Sequence, residues 1–143
     1  MKVRGILSGY FNPIHGGHID QIRGSADNCD SLIVIINNDF QVKLKGSKEF
    51  MDEQHRKYIL ENIKGVDEVI VSIDRDKSVC STLELLKNKY PGDLLLFFNG
   101  GDRQGNNLNS EETAICKKLE IKEVVLSLPK RYSSSELIRK ASL

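Results

Sequence analysis

The 143-residue sequence has no cysteine framework: Cys29, Cys80 and Cys116 are far apart, odd in number and form no CxxC pair. That spacing builds neither a disulfide scaffold nor a zinc site, so three reduced thiols are expected. Net charge is nearly absent too, with 21 Lys and Arg against 20 Asp and Glu. A dominant non-specific nucleic-acid role needs a clustered basic surface and is not expected. No apolar run approaches the ~20 residues of a membrane span. The apolar stretch after Met1-Lys2-Val3-Arg4 stops at Gly9, too soon for a signal peptide. These absences predict a soluble, intracellular, cytoplasmic protein with no membrane partner. GxxxxGK[ST] and GxGxxG runs are also missing, which excludes a P-loop and a dinucleotide fingerprint. Repeats, low-complexity segments and domain linkers are not seen, and the length fits one domain over residues 1–143.

What is present is an alternation of short apolar runs and longer amphipathic ones. Strands are expected at Val3–Ser8, Ser31–Asn37, Glu68–Ser72, Leu94–Asn99 and Glu123–Leu128. Helices are expected at Gly17–Asn28, Asp52–Ile63, Ser81–Lys89 and Ser110–Lys118, with a last one from Ser133. Gln41–Phe50 and Gly100–Asn109 are polar and glycine-bearing and are expected to be loops. This order predicts an α/β domain: a five-stranded parallel sheet with helices on both faces. Such sheets bind ligands beyond the carboxyl ends of their strands. The unusual segments follow the strands: Gly9 to His18, then Asn38-Asp39 with Lys43 and Lys45, then Gly100 to Arg103, then Pro129 to Ser135.

His15-Gly16-Gly17-His18 carries the most chemistry. Histidines three apart at a helix start lie near one face. The glycines between them admit a ligand close to the backbone, and a helix N-terminus favours an anion. Imidazoles there can donate to a phosphate as its charge grows. A zinc pair is the other chemical reading, but no third ligand has sensible spacing. A pair of ordinary surface histidines is the plain alternative.

The run Ser8-Gly9-Tyr10-Phe11-Asn12-Pro13-Ile14-His15-Gly16-Gly17-His18 resembles the signature of the HxGH nucleotidyltransferase superfamily. Arg131-Tyr132-Ser133-Ser134-Ser135-Glu136-Leu137-Ile138-Arg139 resembles that superfamily's second signature. Within it the sequence is most similar to the cytidylyltransferase-like branch, which includes glycerol-3-phosphate cytidylyltransferase and heptose 1-phosphate adenylyltransferase. Asp52 to Leu60 and Val66-Asp67-Glu68-Val69 resemble the former; Lys43-Leu44-Lys45-Gly46 and Gly100-Gly101-Asp102-Arg103 resemble the latter. Asn99 stands where the heptose pattern has lysine, and Asn12 where the branch usually has aspartate.

The resemblance implies a Rossmann-like fold and an enzyme that transfers CMP or AMP from CTP or ATP to a phosphorylated small molecule. The acceptor phosphate attacks the α-phosphorus in line and pyrophosphate leaves. By match to the motif, His15 and His18 bind the nucleotide phosphates, and Lys43 and Lys45 the acceptor or pyrophosphate charge. Ser8, Gly9, Tyr10, Phe11, Gly17, Gly100, Asp102, Arg103, Ser133, Ser134 and Ser135 are implied nucleotide-binding residues. Asp39, Arg56 and Arg131 are implied substrate-binding residues, and Arg139 is a further candidate for a phosphate. Mg²⁺ is the implied cofactor, with no protein ligand named, and a homodimer the implied assembly. The helix around Arg56 favours CTP; an adenylyltransferase acting on a sugar 1-phosphate and a non-catalytic nucleotide sensor are the alternatives.

Overall fold

The computed structural model describes residues 1–100 and 109–127. Five strands form one parallel sheet: β1 (Val3–Gly9), β2 (Ser31–Ile36), β3 (Glu68–Val71), β4 (Leu94–Asn99) and β5 (Lys122–Val125). The helices are α1 (Gly16–Ala26), α2 (Asp39–Lys45), α3 (Glu53–Glu61), α4 (Cys80–Lys89) and α5 (Ser110–Leu119). The expected α/β sheet is therefore found, with strand ends within a residue or so except at β5. No helix among the described residues is long and apolar enough to cross a membrane.

The strands form because their residues can be buried on both faces. Every residue of β2, Ser-Leu-Ile-Val-Ile-Ile, is buried, the run expected of an inner parallel strand. Alternation then divides the core in two. Ile6, Ile33, Ile35, Leu95 and Phe97 meet Leu83 and Leu86 of α4 and Cys116 of α5. Leu7, Leu32, Val34, Ile36 and Phe98 meet Ile22 of α1 and Leu60 of α3 on the opposite face. Gly5 marks how closely these layers approach. A Cβ there would lie 2.5 Å from the Phe98 ring and 2.8 Å from Cys29 Sγ.

The strand order is β3-β2-β1-β4-β5. The chain walks outward from β1 to β3, crosses back, and resumes at β4 on the other side of β1. Right-handed crossovers then put α1 and α3 on one face and α4 and α5 on the other. The direction reverses between β1 and β4, so the switch point of the sheet lies beyond Gly9 and Asn99. That is the ligand position in an open parallel sheet.

The segment expected to be a loop from Gln41 to Phe50 is corrected in its first half, because Asp39–Lys45 is helical. Asn38 Oδ1 accepts the Gln41 N–H at 2.9 Å, and Gln41 Oε1 accepts the Asn38 N–H at 3.0 Å. This reciprocal cap starts α2, and Gly46 at φ 79° ends it. The glycine and polar residues that looked like a loop are the stop signals of a short helix. Gln41 is fully buried, and its Nε2 also donates to the carbonyls of Asp76 and Ser78. That ties α2 to the β3–α4 connection.

That connection supplies a cap invisible in local sequence. Cys80 opens α4 with no side-chain cap from its neighbour Val79. Asp74 reaches in instead, its carboxylate accepting the Ser81 and Thr82 N–H groups at 2.7 and 3.0 Å.

Candidate active site

The turn from β1 into α1 is built around Phe11. Its φ is 51°, a left-handed backbone costly for a bulky residue. Burial of its ring to 1% exposure offsets that cost. The ring lies under Gly9, where a Cβ would come within 3.0–3.1 Å of it, and meets the His18 ring edge-on at 4.7 Å. Gly9 and Phe11 therefore support the histidines. Asn12 follows and joins Pro13 through a cis peptide.

His15 is the N-cap of α1 and His18 its third residue. His15 Nδ1 accepts the Gly17 N–H at 3.0 Å, and His18 Nδ1 accepts the His15 N–H at 3.1 Å. The two rings stack at 3.8 Å between centroids. A nitrogen that accepts an N–H cannot carry a proton of its own. Both neutral rings must then be protonated at Nε2, which makes each a donor through that atom. Gly17, an implied nucleotide-binding residue, gives its N–H to His15.

Burial, then His15, then the Lys45 ammonium push the His18 pKa down to about 3. Burial also lowers that of His15. The positive end of α1 favours the neutral rings as well. The pair is thus uncharged at neutral pH and can hydrogen-bond without gaining or losing a proton.

This arrangement makes stability pH-dependent. The folded pKa of His18 lies below the 6.5 of the free side chain, so the unfolded chain takes up a proton first as pH falls. Stability present above pH 6.5 is lost progressively towards pH 3. From pH 6.5 to 4.5 the His18 contribution is expected to be about 2 kcal/mol. Urea unfolding of the wild type and His18→Gln at a series of pH values reads it as a difference in slope. Parallel curves would contradict it.

Lys45, the last residue of α2, joins the histidines from the β2 side. Its ammonium sits 4.3 Å from the centroid of the Tyr10 ring, and its charge acts on His18. Lys43 is exposed two residues earlier, and residues two apart on a helix do not share a face. Helical geometry thus brings one of the two expected lysines to the site. Ser8 is half-buried at the end of β1, beside Ile35. Gly100 follows β4 and packs on α1, where a Cβ would meet the Gln21 side chain at 3.2 Å. Asp102, Arg103, Arg131, Ser133, Ser134, Ser135 and Arg139 lie outside the described residues, as does the expected last helix.

Arg56 is a hub in the interior, fully buried. Its Nε donates to Met51 O, and its Nη1 to the carbonyls of Tyr10 and Asn37, both at 2.7 Å. Its Nη2 pairs with Asp39 Oδ1 at 2.8 Å. The guanidinium thus ties the ends of β1 and β2 to the start of α2, and Asp39 is committed to it. Asp39 and Arg56, the two implied substrate-binding residues among the described ones, pair with each other. Asn99, at the position where lysine was expected, is buried and donates to Glu123 at 2.7 Å.

A parallel α/β sheet with a neutral histidine pair and a lysine at its switch point defines a Rossmann-like nucleotide-binding domain. The sequence model of the cytidylyltransferase-like family matches residues 6–141, and the chain belongs to that family. An FAD synthase of Aciduliprofundum boonei is 30% identical over 135 residues, 94% of this chain and 83% of that protein. The bifunctional protein HldE of Nitrobacter hamburgensis is 27% identical over 139 residues, 96% of this chain. The chain spans 26% of the length of HldE.

Among solved structures, a lipopolysaccharide core biosynthesis protein of Thermoplasma volcanium has a TM-score of 0.71 at 23% identity. The match covers 91% of this chain and all of that one. A bifunctional NMN adenylyltransferase/ADP ribose pyrophosphatase of Francisella tularensis, complexed with AMP and a manganese ion, has a TM-score of 0.64 at 19% identity. That match covers 98% of this chain and 41% of the other. At such identities the structures share the fold.

Proposed function

We propose that this chain transfers AMP from ATP to the phosphate of a small acceptor. An acceptor oxygen forms a bond to the α-phosphorus while the bond from that phosphorus to the bridging oxygen breaks, and pyrophosphate leaves. No proton transfer or covalent enzyme intermediate is needed, so alignment and charge stabilisation supply the rate. The observation that carries this reading is the reciprocal capping of His15 and His18. It leaves two neutral rings whose Nε2–H donors are fixed before a ligand arrives, and preorganised donors are what a developing phosphate charge requires.

Membership in a nucleotidyltransferase family supports the reaction type. An FAD synthase among the relatives supports ATP as donor. The argument for CTP rested on the helix around Arg56, and the guanidinium there is spent on main-chain carbonyls and Asp39. Among the described residues no cluster of three or more His, Cys, Asp or Glu side chains could hold a metal. Mg²⁺ is proposed to arrive on the nucleotide's phosphates, as it commonly does.

Lys45 is assigned to the acceptor side, because α2 follows β2 while the switch point of the sheet lies between β1 and β4. Lys45→Ala is expected to raise the acceptor KM roughly tenfold, the loss of about one charge-assisted contact. The nucleotide KM should move little, and Lys43→Ala should behave like wild type. Steady-state kinetics with each substrate varied decides it, and a larger change in nucleotide KM would place Lys45 with the nucleotide.

The donor is tested by thermal shift with ATP, CTP, GTP and UTP, each with Mg²⁺. A nucleotide at ~100 times its Kd stabilises by about 2.7 kcal/mol, a few degrees in a domain of this size. The expected result is a shift with ATP that exceeds the others. A larger CTP shift would reverse the donor assignment, and no shift would favour acceptor-first binding or a pocket that no longer binds nucleotide.

A further inference from the structure

Asn12 had no role in the sequence beyond standing where aspartate is usual, and the structure gives it one that aspartate can fill only in part. Its side chain is 5% exposed. Nδ2 donates to Lys48 O at 2.7 Å, while Oδ1 accepts the N–H groups of Phe50 at 2.8 Å and Met51 at 3.2 Å. The partners fix which atom is which, since exchanging them would set oxygen against a carbonyl and NH₂ against two N–H donors. A carboxylate could keep the two accepted bonds but would place a lone pair against Lys48 O.

The segment so held is short and fixed at its other end as well. After Lys45, Gly46 N–H bonds to Lys43 O and Ser47 N–H to Val42 O, closing α2. Lys45 lies three residues before Lys48, and Asn12 three residues before His15. The amide therefore joins the segment that follows the lysine helix to the turn that precedes the histidines.

We infer that Asn12 is a positioning residue: it latches Lys48–Met51 to the β1–α1 turn and so holds Lys45 in register with the histidine pair. The inference rests on the transferase reading for its consequence, namely that the latch sets acceptor alignment rather than nucleotide affinity. In-line transfer is sensitive to such a shift, since a misplacement of ~1 Å can cost about a hundredfold.

The test has two arms. Amide hydrogen exchange is measured at Phe50 and Met51 in the wild type, Asn12→Asp and Asn12→Ala. Both amides should be protected in the wild type and exchange at least about tenfold faster in Asn12→Ala, with Asn12→Asp intermediate. Kinetics should show the acceptor KM of Asn12→Asp raised about tenfold or more, with ATP affinity by thermal shift unchanged. Unprotected amides in the wild type overturn the latch, and that arm stands even if neither variant folds. Faster exchange with an unchanged acceptor KM overturns the positioning role. A wild type inactive with every acceptor overturns the transferase reading and the acceptor half of the proposal, while exchange still decides the latch.

Discussion

His18→Ala is expected to lower turnover by about 10²–10³-fold while the chain stays folded. The variant removes one preorganised donor, and losses of that size follow when such a donor is deleted from a charge-developing site. It also strips the His15 N–H of its acceptor at 3.1 Å, a capping loss of ~1 kcal/mol. The Phe11 ring loses its edge contact as well. These structural costs are small beside the stability of a domain of this length. Far-ultraviolet circular dichroism and a thermal melt should therefore show a folded variant with a modestly lower Tm. Near-normal turnover in that folded variant would remove His18 from the chemistry and leave it as a helix cap.

Arg56→Met should destabilise the protein by about 3–5 kcal/mol, because each buried acceptor it leaves unsatisfied costs roughly 1–3 kcal/mol. The substitution leaves three carbonyls and the Asp39 carboxylate without the guanidinium that joins them. Urea unfolding monitored by circular dichroism measures it. A substrate-binding arginine would behave differently: the variant would unfold at the wild-type midpoint and lose only substrate affinity. That outcome would contradict the hub described above.

The difference between these two residues shows what the sequence made legible. The histidines were visible because their chemistry is local, with two rings, two glycines and a helix start inside four residues. The strands were visible because burial on both faces leaves runs such as Leu32–Ile36. Arg56 was not legible as a hub, since its partners Tyr10, Asn37, Asp39 and Met51 come from three separate stretches of the chain. The Asn12 latch spans 36 to 39 residues, and Asp74 caps α4 from seven and eight residues away, so no local pattern announces either. α2 was missed for a different reason. At seven residues it is too short to display a helical period, and its capping box and terminal glycine carry the polar composition of a loop.

Transfer of the nucleotide's own α-phosphorus is read out with ATP labelled in the α-phosphate. The labelled nucleotide is incubated with the protein, Mg²⁺ and a panel of phosphorylated acceptors: sugar 1-phosphates, glycerol 3-phosphate, amino-alcohol phosphates and phosphonates. Label is expected to join one acceptor class through a new phosphorus–oxygen–phosphorus bond, with one pyrophosphate released per label transferred. Label that stays in ATP, or leaves as AMP or ADP without joining any acceptor, would contradict it.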